Sequence, residues 1–152
     1  METPRTVFSL DDLRRWNAPG VSLAVAGHPI AHSLSPRMHN AALRELSGGR
    51  PAFRDWRYHA FDIPPSGLAE ALGLFHAKGF RGLNITVPHK VAALAAIGDA
   101  TEGARLAGAV NTLEWLPGGW RGHNTDAHGF SRAVGEEFAL SLAGVPVLLL
   151  GA

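Results

Sequence analysis

Leu83-Asn84-Ile85-Thr86-Val87-Pro88-His89-Lys90 is the stretch from which the rest of the chain can be read. Leu83, Ile85 and Val87 alternate with Asn84 and Thr86, the period-2 pattern of a strand with one apolar face. Asn84 and Thr86 share the other face, so an amide and a hydroxyl project the same way. Pro88 fits the first position of a helix, where its missing N–H costs nothing. Lys90 then falls in the first helical turn, where the helix dipole disfavours a cation by about 0.3–1 kcal/mol. A local rule broken at a strand-to-helix turn marks a candidate functional site. Dipole and partial burial together would favour the neutral amine and make Lys90 a usable proton carrier. The competing reading is a solvated lysine at a frayed helix start.

Working upstream, Trp56 to Ile63 and Val21 to Ala26 read as two further strands. Between the first of these and the organising stretch, Leu68, Ala71, Leu72 and Phe75 fall at i, i+3, i+4 and i+7, the spacing of a helix that Gly79 closes. The loop from Gly27 to Ser35 leads into a second helix, opened by Ser35 as cap and Pro36 as first residue. Met38, Ala41, Ala42 and Leu46 are its expected core face, and Gly48-Gly49 ends it. Ser9 caps a short leading helix bearing Leu10, Leu13 and Trp16, which Pro19-Gly20 terminates.

Downstream, a short helix is expected from about Thr101 to Leu106. Val110 to Trp115 and Trp120 to His123 flank Leu116-Pro117-Gly118-Gly119, a hairpin signal. Phe130, Ala133, Val134 and Phe138 form one more helical face. Val147 to Leu150 reads as a fully buried parallel strand running into Gly151. Strands alternating with helices, plus one hairpin, define the fold class as α/β: a mixed, mainly parallel sheet flanked by helices.

Composition narrows the function. The chain has 152 residues, 46% of them apolar, enough for one domain with a real core. Fourteen Lys and Arg against 13 Asp and Glu leave a net charge of +1, with no basic stripe, so neither nucleic acid nor a membrane surface is an expected partner. The absence of cysteine excludes disulfides, thiolate catalysis and Cys-containing metal sites. The longest apolar run, Val145 to Leu150, is too short to span a bilayer. Met1 to Trp16 mixes charges among its apolar residues and does not read as a signal peptide; a cytoplasmic location is compatible with all of this. His28, His32 and His39 have suggestive spacing, but Pro29 and Pro36 prevent one helix from aligning them, and no metal is expected.

Four polar clusters sit at strand ends or helix starts, where α/β proteins build sites. Ser33 and Ser35 lie near a helix N-terminus suited to an anion such as a carboxylate; Ser35 is equally readable as a simple cap. Asn84, Thr86 and Lys90 form the second cluster. Asn111, interrupting an apolar strand start, is either a turn residue or a site amide. Asp126, in Gly122-His123-Asn124-Thr125-Asp126, is what helix capping calls for, yet beside Lys90 it could hold a substrate hydroxyl and help move its proton.

Taken together, four blocks resemble the shikimate dehydrogenase family. They are Gly27-His28-Pro29-Ile30-Ala31-His32-Ser33-Leu34-Ser35-Pro36 with His39-Asn40; Asn84 to Lys90; Gly108-Ala109-Val110-Asn111-Thr112-Leu113; and Asn124-Thr125-Asp126 with Gly129. The resemblance covers about residues 21–152. It implies an N-terminal substrate-binding domain over residues 21–143, preceded by an extension over 1–20. Residues 144–152 would be the first strand of an NADP-binding Rossmann domain, only begun, with Gly151 entering the cofactor's phosphate turn. In such enzymes the counterparts of Ser33, Ser35 and Thr86 hold the substrate carboxylate. Those of Lys90, Asn111 and Asp126 hold the ring hydroxyls, and Lys90 and Asp126 are the catalytic pair. Asn84 shares the strand face of Thr86 and is added as a substrate-binding candidate.

The implied activity is reversible NADP-dependent reduction of 3-dehydroshikimate to shikimate, on the route to chorismate and the aromatic amino acids. The expected partner is that small-molecule substrate, and assembly as a homodimer is left open. The cofactor domain being absent from the sequence, the chain alone is expected not to transfer hydride. The alternatives are a quinate or quinate/shikimate dehydrogenase, often NAD-linked, and a non-catalytic shikimate-binding regulatory module.

Overall fold

The computed structural model describes residues 7–148 and residue 150. Seven strands form one sheet: β1 (Val7–Ser9), β2 (Val21–Gly27), β3 (Trp56–Asp62), β4 (Gly82–Ile85), β5 (Asp99–Ala100), β6 (Thr112–Leu116) and β7 (Gly119–His123), in the order β1-β3-β2-β4-β6-β7-β5. The pairings β1·β3, β2·β3, β2·β4 and β5·β7 are parallel, while β6 runs antiparallel to both β4 and β7. The mixed, mainly parallel α/β expectation is met. The helices are α1 (Leu10–Arg14), α2 (Ser35–Gly49), α3 (Leu68–Ala77), α4 (Lys90–Ala96), α5 (Glu102–Ala107) and α6 (Asp126–Phe138).

Alternation along the strands divides the core in two. Ala24, Ala26, Phe61, Leu83, Ile85 and Leu113 point to one face, under α1, α3, α4 and α5; Val25, Tyr58 and Ala60 point to the other, under α2. The larger core is aromatic at its centre. Phe75 meets Phe61 and Phe80 edge to face, at centroid separations of 4.9 and 4.8 Å. The leading segment belongs to this core. Leu13 is fully buried, Trp16 packs on Phe61, and β1 adds an edge strand that the sequence did not announce. Residues 7–16, within the expected 1–20 extension, thus pack on the domain. Ser9 caps α1 as expected, through a capping box with Asp12.

Five expectations fail. The packed face of α2 is built on Leu43, Tyr58-stacked His39 and Asn40; Met38, Ala41, Ala42 and Leu46 all face solvent. Both faces of that helix carry apolar or small residues, so periodicity alone could not choose between them. Ser35 does not cap α2 either: the cap position is Leu34, and the Ser35 N–H is taken by the Ser33 hydroxyl at 3.3 Å. Pro88 is not the first helical residue. It follows a cis peptide after Val87, and α4 begins two residues later with His89 at its cap. The strand ends at Ile85, so Val87 leaves the core face and is 69% exposed. Finally, Val147, Leu148 and Leu150 form no strand and stand exposed, because no neighbouring strand among the described residues offers them a ladder. Leu149 and Gly151 lie outside the described residues.

Candidate functional site

The site occupies the edge of the sheet where β2, β4 and β7 end and β6 begins, the position α/β sheets favour. Two loops make its floor. The Thr86 N–H donates to the Ala26 carbonyl at 3.0 Å and the His28 N–H to the Val87 carbonyl at 3.0 Å, so the loops after β2 and β4 are laced together. Gly27 lets them approach: a Cβ there would lie 2.5 Å from Thr86 Cγ2 and 3.1 Å from the Val87 carbonyl oxygen. Between the loops is a cleft of about 300 Å³ lined by Ser33, Ser35, Thr86, His28 and His32 among others. Three of the four hydroxyl or amide candidates of the first two clusters thus face one space. His28 also pairs with Asp62 at the end of β3, 2.5 Å away.

The second group is a hydrogen-bonded cluster. Lys90, first residue of α4, donates from Nζ to Asp126 Oδ2 at 2.6 Å, and Asn111 Nδ2 donates to Asp126 Oδ1 at 2.8 Å. The lysine that a helix start should disfavour is compensated by a carboxylate from a helix start 36 residues later. Asp126 can serve this way because it is not occupied as a cap. The cap position of α6 is Thr125, and the Ala127 N–H is taken by Asn124 Oδ1 at 3.1 Å. The Lys90 ammonium, then the Asn111 amide, hold the Asp126 carboxyl below its ordinary value of 3.8. The Asn111 side chain is held at both ends of its amide. Its Oδ1 accepts from the Thr125 N–H at 3.1 Å and the Thr112 hydroxyl at 3.1 Å, which fixes both N–H groups toward Thr125 and Asp126.

Asn84 joins the same network, donating from Nδ2 to Thr112 Oγ1 at 3.2 Å and accepting the Tyr58 hydroxyl at 2.6 Å. Strand β4 therefore links the two groups, with Asn84 in the cluster and Thr86 in the cleft. Buried Tyr58, its phenol pushed up by desolvation, is pinned by Asn40, whose side chain bonds both its N–H and its carbonyl. Tyr58, Asn40 and Thr112 were not singled out from sequence. The signal available was that the chain's one tyrosine falls on an inward strand face, where its hydroxyl needs a partner. Gly151, the expected cofactor residue, lies outside the described residues. No group of three or more His, Cys, Asp or Glu capable of holding a metal occurs among the described residues.

The fold is an α/β domain with a mixed sheet, and its strand ends carry a hydroxyl-lined cleft and a lysine–carboxylate pair. A family model described as the shikimate dehydrogenase substrate binding domain matches residues 25–113. The chain is 47% identical over 128 residues to a shikimate dehydrogenase (NADP(+)) of Methanothermobacter thermautotrophicus, covering 84% of this chain and 42% of that protein. The structure of shikimate 5-dehydrogenase from Thermus thermophilus in complex with NADP(H) and shikimate superposes with a TM-score of 0.67 at 40% identity, over 83% of this chain and 43% of that one. That of the Listeria monocytogenes enzyme in complex with shikimate and NAD gives 0.69 at 33% identity, over 82% and 41%. The chain belongs to the shikimate dehydrogenase family, within its substrate-binding domain. It spans about two fifths of the length of the relatives it matches.

Proposed function

We propose that this chain binds shikimate and 3-dehydroshikimate and supplies the proton-handling half of an NADP-linked shikimate dehydrogenase reaction. The observation that carries the reading is the Lys90–Asp126 pair, held at 2.6 Å and oriented by Asn111 beside a hydroxyl-lined cleft. Ser33, Ser35 and Thr86 hold the substrate carboxylate by donating their hydroxyl hydrogens. Lys90, Asn111 and Asp126 take the ring hydroxyls, with Asn84 at the margin. In the direction of reduction, the Lys90 ammonium gives a proton to the substrate oxygen as the carbonyl becomes an alcohol. In oxidation the neutral amine takes that proton back. Asp126 stabilises the ammonium and keeps Nζ aimed at the reacting oxygen, a positioning contribution to general acid–base catalysis.

The nicotinamide of NADP, when bound, supplies or accepts the hydride. The described residues include no glycine-rich turn opening a helix after a strand. Residues 144–152 stay assigned, on resemblance, to the beginning of the cofactor domain.

The test is a comparison of ligands by NMR chemical-shift mapping on the purified chain. Shikimate should perturb Ser33, Ser35, Thr86, Lys90 and Asn111, and the methyl ester of shikimate should lose the shifts at the two serines. Equal perturbation by acid and ester would overturn the carboxylate assignment. Stronger binding of quinate than of shikimate would move the substrate to the quinate side of the family.

A further inference from the structure

The hydrogen bonds between Tyr58 and Asp126 all run in one direction. The Tyr58 hydroxyl donates to Asn84 Oδ1; Asn84 Nδ2 donates to Thr112 Oγ1; the Thr112 hydroxyl donates to Asn111 Oδ1; and Asn111 Nδ2 donates to the Asp126 carboxylate. The direction is forced at each amide by a backbone group that has no choice. The Thr125 N–H can only donate, so Asn111 must present oxygen to it; the Asn111 carbonyl can only accept, at 3.4 Å, so Asn84 must present nitrogen. Thr112 does both through one hydroxyl oxygen, accepting from the Asn84 amide and donating to the Asn111 amide. It stands between them on the sheet, directly opposite Asn84 in the β4·β6 register.

We propose that Thr112 is a positioning residue for the Lys90–Asp126 pair: its hydroxyl passes the polarity of the buried Tyr58 end to Asn111 and holds that amide with its N–H groups on the carboxylate. Aligned donors in a partly buried chain polarise one another, so removing the middle link weakens bonds on either side of it. The catalytic purpose of this wire rests on the reading of Lys90 and Asp126 as the proton-handling pair. The wire itself does not.

The experiment separates the two. The Asp126 carboxyl is titrated by carbon NMR in the ligand-free chain, for wild type, Thr112→Val and Thr112→Ser. Asp126 is faced by one charged partner, Lys90 from α4, and by the uncharged Asn111, and wild type and both variants retain both. Valine is nearly isosteric with threonine and suits a strand, so the fold is retained; if it is not, Thr112→Ala removes the same hydroxyl without adding volume and is read identically. The expected result is an upward shift of the Asp126 midpoint when the hydroxyl is lost, and a midpoint restored by serine. An unmoved midpoint in the hydroxyl-free variant, or a shifted one in Thr112→Ser, overturns the proposal. Shikimate binding is measured on the same samples: absence of binding by wild type alongside the expected NMR shift would refute the function while leaving the wire standing.

Discussion

Replacing Gly27 with alanine tests whether the cleft floor is as tight as its geometry requires. The new methyl would meet Thr86 Cγ2 at 2.5 Å, Ile30 Cδ1 at 3.0 Å and the Val87 carbonyl oxygen at 3.1 Å. Carbon pairs are comfortable at about 3.5–4.0 Å, so the first contact is short by about 1 Å and something must move. The Val87 carbonyl is anchored by the His28 N–H at 3.0 Å, which leaves Thr86 to turn away. Overpacking of this kind costs about 1–3 kcal/mol, and the stiffer unfolded chain of alanine returns about 0.4–1, for a net loss of about 1–2 kcal/mol. For a chain of this length that lowers Tm by about 2–8 °C. Turning Thr86 also removes a hydroxyl from the end of the cleft proposed to take the carboxylate, worth about 1.5–3 kcal/mol toward a charged ligand, so shikimate should bind about tenfold or more weakly. Thermal unfolding by circular dichroism and ligand titration read the two effects. Because Cγ2 is the closest atom, Gly27→Ala with Thr86→Ser should recover part of the lost stability, the remainder being the Ile30 and Val87 contacts. A Tm within about 1 °C of wild type for Gly27→Ala, or no favourable coupling in that double-mutant cycle, would refute the reasoning.

Two further outcomes follow from the larger core. Leu13→Ala, at a fully buried position on α1, should cost about 2–5 kcal/mol in denaturant unfolding; a loss below about 1 would mean the leading segment only rests on the domain. His59, whose Nε2 is buried without a hydrogen-bond partner against Phe8 and Trp16, is pushed down to about 4 from 6.5 by burial and then by Arg57. Between those values the unfolded chain binds a proton that the folded chain refuses. Stability should therefore be full above pH 6.5 and decline as pH falls toward about 4. His59→Phe should flatten that decline, and an unchanged slope would show that His59 is not its source.

Much of the site was legible because its residues are placed by local rules. Asn84 and Thr86 follow from strand alternation, and Lys90 stays in the first turn of α4 even though Pro88 proved to be a cis turn residue rather than the helix start. Strands β1 and β5 were not legible. Each is only two or three residues long and owes its existence to β3 or β7 beside it rather than to its own pattern. The reversed face of α2 has a similar cause: what buries Leu43 is the sheet face of Val25 and Tyr58, which no period within the helix encodes. The network through Tyr58, Thr112 and Asn111 joins residues 26 and 28 positions apart through Asn84, and hydrogen bonds at that range leave no mark in a sequence. Asp126 was the reverse case. Its helix-start position reads as a cap, but the cap position is Thr125, and the Asp126 carboxylate accepts from Lys90 and Asn111 instead.

The central claim is that this chain carries a shikimate site of which Lys90 and Asp126 are part. Calorimetric titration of shikimate into the purified 152-residue chain, beside Lys90→Ala and Asp126→Asn, tests it most directly. The predicted result is saturable one-to-one binding by wild type that weakens about tenfold or more in each variant, as expected for a lost charge-assisted hydrogen bond. Wild-type binding that both variants reproduce unchanged would contradict it.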